Sequence, residues 1–326
     1  MQRPGFLWSS VAAWVAFAAL ALPQSALAQA WPAKPIRLIV NFPAGGSPDL
    51  VARAVATPLS AALGQPVVVE NRSGAGGIVG NEAAAKSTPD GYNFLLASGS
   101  SIAILPHITP KMPYEPKDLV PVAAGARLAL FLVSRGDLPF RTYADFIKYV
   151  KANPGRLSYG SPGSGTSPHI AGEMLKSQAG FFAVHIPYRG AGAALQDLLG
   201  GRVDYAFDPG LAFAHIRSGK LNLLAVGSAK RSALFPDAPT VAELGLAGFD
   251  TDTTHGFWAP AGTPQAIIDR VNTEINRALS LPAVQEVMRT IGAEATPLTP
   301  AQFASVIQSD SRRYAAIIKE RKIAGD

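Results

Sequence analysis

Two stretches combine residue types and spacing that suit anion capture. "NFPAGGSPDL" (41–50) follows the apolar run "IRLIV" (36–40), and "PGSGTSPHI" (162–170) repeats its ending later in the chain. In the first, Ser47 suits a helix N-cap and Pro48 the first helical position. In the second, Thr166 or Ser167 takes the cap and Pro168 follows. Glycines let the backbone approach a bound group with no Cβ in the way. The first N–H groups of a helix have no acceptor within it, and the helix dipole adds partial positive charge there, so such an end receives an anion. One such turn alone is only a good helix start. Two of them, facing across a cleft, would clamp a small carboxylate from both sides. Asp49 favours the helix end but repels an anion, so its expected part is to organise neighbouring amides and waters. Bulky residues at Gly45 or Gly165 are expected to abolish binding and leave the fold intact.

The elements that must position these turns alternate. Strands are expected at 36–42, 66–71 and 90–98, with helices at 48–63 and 76–87 between them. The strands read as continuous apolar runs, as in sheets buried on both faces. The pattern then repeats. "ALFLVS" (129–134) is a strand and "TYADFIKYVKANP" (142–154) a helix capped by Thr142. "RLSYGS", "FAVHIPY", "VDYAFD" and "LNLLAVGS" are strands around the helices "SPHIAGEMLKSQAG" and "GAALQDLLGG". The two halves also share "RSGAGG" (72–77) and "RGAGAA" (189–194) at similar distances behind their turns. The tail from "FWAPAGTPQ" predicts a strand, a helix capped by Thr263, and further helices that pack back on the first lobe. The expected fold class is α/β with two lobes and a ligand cleft between them. Each lobe is a mixed, mostly parallel sheet flanked by helices. Lobe 1 takes 29–126 and 251–326, and lobe 2 takes 127–250.

The blocks "PAGGSPDLVAR", "VVVENRSGAGGIVGNEAAAKSTPDGYNFLLAS", "YGSPGSGTSPHIAGE", "PYRGAGAALQDLLGGRVDYAFD" and "FPDAPTVAELG" together resemble the Bug-type solute receptors, the substrate-binding proteins of tripartite tricarboxylate transporters. The resemblance runs over nearly the whole chain after its leader. It implies a periplasmic-binding-protein fold, type II-like, that closes on a di- or tricarboxylate, an amino acid or an aromatic acid. It also implies delivery to integral-membrane transporter subunits, with no cofactor and no catalysis. Carried over by position, the first-lobe contacts are Phe42, Ala44, Gly45, Gly46 and Asp49, with Ser98, Ser100 and Ser101 on the next loop. The second-lobe contacts are Ser161, Gly163, Ser164, Gly165 and Thr166, with Asp208 at a strand end. Asp208 has three open roles: pairing a ligand amine, holding a water, or capping the segment that starts at Pro209. Arg189, in "PYRG", stands where the family commonly has a basic residue, and no motif marks it as a ligand partner.

Other functions fit less well. "GAGGIVG" (74–80) follows a strand and opens a helix like a dinucleotide turn, but its glycine spacing is loose. The next strand ends in Ser98 where a ribose-binding acid would stand. A serine hydrolase lacks GxSxG. The histidines, His107, His169, His185, His215 and His255, are scattered without metal-ligand spacing, so no metal is expected. The effector half of a cytoplasmic regulator shares this fold but carries no leader. A ligand sensor feeding a signalling partner is the alternative to transport.

The bulk numbers agree with an exported receptor. Among 326 residues there is no cysteine, which excludes disulfides and a thiol lipid anchor. The net charge is +6, and no Lys/Arg run marks a nucleic-acid surface. Arg3, the apolar stretch 6–22, Pro23 and "ALA" at 26–28 read as a secretory signal peptide cut after Ala28. The expected protein is therefore a periplasmic monomer.

Overall fold

The computed structural model describes residues 31–323; the expected leader and its cleavage after Ala28 lie outside the described residues. The chain starts β1 (Ile36–Val40), α1 (Ser47–Leu63), β2 (Val67–Asn71), α2 (Ile78–Ala85) and β3 (Asn93–Ala97). β1 is buried except at Arg37 and lies between β2 and β3, parallel to both. Burial on both faces is why "IRLIV" is apolar almost throughout. Arg37 is tolerated because it reaches Glu70 on β2, at 2.6 Å. Two short helices, α3 (Gly99–Ala103) and α4 (Leu105–Ile108), lead to β4 (Leu119–Leu128).

The second half runs β5 (Phe131–Arg135), α5 (Tyr143–Ala152), β6 (Ser158–Ser161), α6 (Ser167–Ala179), β7 (Val184–Pro187), α7 (Ala191–Leu199), β8 (Tyr205–Asp208), α8 (Phe213–Arg217) and β9 (Leu221–Val226). The tail forms β10 (Thr253–Pro260), α9 (Gln265–Leu279), α10 (Pro282–Thr290), β11 (Ala293–Ala295) and α11 (Pro300–Arg321). Two sheets result, one with order β11-β4-β10-β3-β1-β2 and the other β7-β6-β8-β5-β9. The chain leaves the first sheet after Leu128 and re-enters it at Thr253.

Both sheets are mixed rather than mostly parallel. Next to the parallel β2-β1-β3 and β7-β6-β8 groups, the pairs β3–β10, β10–β4, β4–β11, β8–β5 and β5–β9 are antiparallel. The strands that run against the parallel groups are β10 and β11 in the first sheet and β5 in the second, and β5 and β10 are each the first strand after a lobe crossing. β4 escaped the sequence reading because "LVPVAAGARL" is weakened by Pro121, Gly125 and small residues. Its fit explains the composition. A Cβ on Gly125 would stand 3.2 Å from the His255 carbonyl oxygen and the Phe257 ring, and 3.3 Å from Val51. Gly256 on β10 is required even more strongly, since a Cβ there would overlap the Phe303 ring.

Apolar side chains fill both faces of both sheets. Leu38, Val55 and Ile275 join β1, α1 and α9 on one face of the first sheet, and Leu95, Trp258 and Phe303 lie on the other. Phe146, Tyr159 and Phe207 centre one core of the second lobe, while Phe131, Leu198 and Phe213 centre the other. The tail, expected to belong wholly to the first lobe, divides. Phe303 and Ile307 of α11 pack in the first lobe, whereas Tyr314 and Ile318 enter the core of the second. Among the described residues, no helix is long and apolar enough to cross a membrane.

Candidate functional site

Both Gly-rich turns start helices at the carboxyl ends of parallel strands, where ligands of open α/β sheets bind. The cap of the first turn sits one residue earlier than the sequence suggests, and that of the second falls on one of its two expected residues. Gly46 caps α1 and Ser47 is already helical, while Thr166 caps α6. At α9 the cap is Pro264, one residue later than the expected Thr263. Ser47 is free to be helical because its hydroxyl is engaged elsewhere, 3.2 Å from His255 Nε2 on β10. Thr166 Oγ1 donates back to the Gly163 carbonyl at 2.6 Å, which tightens its own loop.

A cavity of about 350 Å³ lies between the lobes. Phe42 to Pro48 wall it from the first lobe, together with Ser98 and Ser100. Pro162, Thr166, Ser167 and Pro168 wall it from the second. The α7 start, Arg189 to Ala193, adds a third helix N-terminus. Leu128, Leu130, Thr253 and His255 close it where the chain crosses between lobes. Arg189 is the only charged residue in this wall, and no carboxylate lines it among the described residues.

Of the expected contacts, Phe42, Ala44, Gly45, Gly46, Ser98, Ser100 and Thr166 line this cavity. Gly163 and Ser164 line a larger neighbouring chamber instead. Ser101 lies behind the wall, where its hydroxyl takes a 2.7 Å bond from Asn41 and a 3.1 Å bond from Asn81. Ser161 Oγ sits 2.7 Å from His185 Nε2 and shapes its own loop through Gly163. Gly165 donates its N–H to His169 Nδ1 at 3.1 Å, and a Cβ on it would collide with Leu105 and Ile108 of α4. A bulky residue at Gly165 therefore strikes the packing between the lobes, and the expectation of an intact fold does not fit this position.

The two acids stand apart from the cavity, and each accepts hydrogen bonds from protein groups. Asp49 accepts from Gly45 N–H at 2.9 Å, from Asn71 Nδ2 at 2.9 Å and from Arg53 Nε at 3.0 Å. Burial raises its pKa, but the bonds from Arg53, Gly45 and Asn71 outweigh burial and hold it below its ordinary value. Its anion thus organises the first turn. Asp208 Oδ1 accepts from Gly210 and Ala212 N–H, both at 2.8 Å. Complete burial pushes its carboxyl up to about 6 against these bonds. It caps the segment that follows Pro209, one of the three roles left open by the sequence.

Five polar residues of the wall were not expected as ligand contacts from the sequence: Ser47, Ser167, Arg189, Thr253 and His255. The Ser167 hydroxyl is buried and makes no hydrogen bond among the described residues. Such a group in a cavity wall calls for a polar partner from outside the chain. His255 is fully buried, and desolvation lowers its pKa to about 3, so it is neutral and supplies dipoles rather than charge. Ser47 and Ser167 were legible as the partners of their prolines. His255 was not, because only the antiparallel insertion of β10 brings it beside α1. Among the described residues, no cluster of three or more His, Cys, Asp or Glu could hold a metal ion.

The sequence and fold have close relatives. The model of the family described as "Tripartite tricarboxylate transporter family receptor" matches residues 51–323. Protein BugT of Bordetella pertussis is 40% identical over 318 residues, which cover 96% of this chain and 97% of that protein. The periplasmic binding protein BugD has a solved structure with TM-score 0.86 and 34% identity, over 91% of this chain and 100% of that one. The structure of R. palustris Rpa4515 with adipate gives TM-score 0.87 and 32% identity, over 90% of this chain and 99% of that one. With its two mixed sheets and its interlobe cavity, this chain belongs to the tripartite tricarboxylate transporter receptor family.

Proposed function

We propose that this protein is a periplasmic receptor that captures a small carboxylate between its lobes and delivers it to integral-membrane transporter subunits. One observation carries the reading: three helix N-termini, from both lobes, converge on a cavity that, among the described residues, contains one arginine and no acid. First-turn amides and helix dipoles stabilise an anion without a buried counter-charge. Ser98, Ser100, Ser167 and Thr166 add polar groups, and ordered water bridging these groups to the ligand would serve nearly as well as direct bonds. The adipate in the related R. palustris structure supports a carboxylate as the ligand class. Among the described residues His255 is the one histidine lining the cavity, and it is neutral and hydrogen-bonded to Ser47. Export agrees with the apolar leader at 6–22 and "ALA" at 26–28.

The test is a thermal-shift screen of the purified protein over mono-, di- and tricarboxylates, amino acids and aromatic acids, followed by recovery of the ligand. At a hundredfold excess over Kd, a ligand adds about 2.7 kcal/mol of stability, and it should be recovered chemically unchanged. Turnover of the bound compound, or no shift with any carboxylate, would sink the reading.

A further inference from the structure

The segment "GAGGIVG" (74–80), which looks like a dinucleotide turn in sequence, closes over a buried side chain instead. A Cβ on Gly77 would stand 2.7 Å from Asn41 Nδ2, and one on Gly80 would stand 2.6 Å from Asn41 Cα. These two glycines let the start of α2 pack directly on Asn41, which follows the last residue of β1. Asn41 and Asn81 are both completely buried. The backbone fixes how the Asn41 amide is turned. The Ser98 N–H can only donate, so Asn41 Oδ1 is the atom that accepts from it, at 3.1 Å. Asn41 Nδ2 then donates to Ser101 Oγ at 2.7 Å and to Asn81 Oδ1 at 2.9 Å. Asn81 Nδ2 donates to Ser101 Oγ at 3.1 Å and to Tyr114 Oη at 2.9 Å. Ser101 Oγ in turn donates to the Ser98 carbonyl at 2.8 Å. Both backbone groups of Ser98 are thus held by buried side chains. None of Asn41, Asn81, Ser101 and Tyr114 lines the inner cavity, whereas Ser98 and Ser100 do, with their hydroxyls 3.0 Å apart.

We propose that Asn41 is a positioning residue of the binding site. Through Ser98 it holds the 98–101 loop in the conformation that presents the Ser98 and Ser100 hydroxyls to a bound carboxylate. The inference rests on the proposed receptor function and deepens it. The loop needs such a hold, because α3 has five residues and a helix that short is not stable by itself. A loop that kept its binding geometry only about a tenth of the time would raise the apparent Kd about tenfold. A buried polar network whose members are all satisfied supplies the required rigidity. The chemistry also requires an amide at this position. An ionised carboxylate has the same shape but only accepts, so it would face Asn81 Oδ1 without a proton to give. A protonated carboxyl both donates and accepts, and can stand in for the amide.

The experiment is calorimetric titration of wild type, Asn41→Ala, Asn41→Asp, Ser101→Ala and Asn272→Ala. The probes are succinate, adipate, citrate, glutamate and benzoate, and the tightest of them on wild type is carried through every variant from pH 5.5 to 8.5. Asn272 is a buried amide that donates to the Val122 and Leu298 carbonyls away from the cavity wall. Its loss should lower the melting temperature and leave Kd within about twofold. Asn41→Ala should weaken the probe about tenfold or more at every pH. Burial raises a carboxyl pKa, so Asn41→Asp should bind within about threefold of wild type at pH 5.5 and lose about tenfold relative to it by pH 8.5. A merely structural role would lower the melting temperature without moving that ratio in folded protein. Hydrogen exchange at the Ser98 amide should quicken about tenfold or more in Asn41→Ala and stay unchanged in Asn272→Ala. Ser101→Ala is the smaller change; it should weaken the probe at least about threefold, and it carries the test if Asn41→Ala does not fold. If the Asn41 variants track wild type in Kd at every pH, or Ser98 keeps its protection in Asn41→Ala, the inference is overturned while carboxylate capture stands. If wild type binds no carboxylate in any form, the receptor reading falls with it.

Discussion

At the scale of single residues, the site is built by removing competing charge. Asp49 and Asp208 are locked by N–H groups and by Arg53, and His255 is kept neutral by burial. The two buried groups, His255 and Asp208, have opposite consequences for stability. His255 titrates near 3 when folded and near 6.5 when exposed. Between those values the unfolded state binds the extra proton, so stability falls as the solution is acidified. Asp208 titrates near 6 when folded, above its ordinary 3.8, so the folded state holds the extra proton in that window and stability rises on acidification. Each slope is about 1.4 kcal/mol per pH unit where it acts alone. The two should nearly cancel between pH 6 and 4. Asp208→Asn should therefore expose the histidine slope, and His255→Gln should expose the opposite one. Urea midpoints measured from pH 3.5 to 7 would read both; parallel profiles for wild type and both variants would contradict the assignment. Ser167→Ala tests the wall differently. Its hydroxyl has no protein partner, so stability should change by less than about 0.5 kcal/mol, while ligand affinity should drop several-fold by calorimetry.

At the scale of elements, the two Gly-rich turns look alike in sequence and differ in surroundings. Both Gly45 and Gly165 have positive φ, +79° and +76°. A Cβ on Gly45 meets nothing within 4 Å, whereas on Gly165 it stands 2.3 Å from Leu105 Cδ2 and 2.7 Å from Ile108 Cδ1. Gly45→Ala should cost about 1 kcal/mol, the left-handed backbone penalty alone. Gly165→Ala should add an overpacking cost of ~1–3 kcal/mol. Chemical denaturation would check the difference; equal losses would mean that the α4 contact yields freely. Two further interlobe approaches are also made at glycines. A Cβ on Gly76 would lie 2.8 Å from the Ser164 carbonyl oxygen, and one on Gly190 would lie 2.9 Å from Pro43 Cγ. Gly76→Ala should hold the lobes apart, visible as a larger radius of gyration by X-ray scattering with saturating ligand and as weaker binding.

At the scale of the whole molecule, α11 ties the returning chain to both lobes. Arg313 donates to the carbonyls of Asp250 at 2.7 Å and Asp252 at 3.0 Å, and to the Asp310 carboxylate at 3.1 Å. Tyr314 Oη donates to the same Asp252 carbonyl at 3.2 Å, and Ser228 donates to the Asp252 side chain. These bonds fix the segment through which the chain re-enters the first sheet. Arg313→Ala strands several acceptors at once and should cost about 1–3 kcal/mol, lowering the urea midpoint. A change within 0.5 kcal/mol would show that water replaces the guanidinium.

How much of this was legible in the sequence follows from the range of the forces. Strand and helix periodicity, the Ser-Pro and Thr-Ser-Pro starts and the glycines at 45 and 165 are local signals, set by backbone sterics and by the spacing of apolar side chains. From them came the two-lobe α/β fold, the alternating elements and two of the three helix N-termini at the cavity. β4 stayed hidden because its small residues answer to Val51, Phe257 and the β10 backbone, which are remote in sequence. The same is true of His255, which reaches Ser47 across 208 positions. Seven of the fourteen residues expected at the ligand do not line the inner cavity, because their groups meet protein partners or the larger neighbouring chamber instead. Only tertiary structure could decide that the acids face protein donors and that Arg189 joins the cavity wall, because pairing and burial arise when separate elements meet.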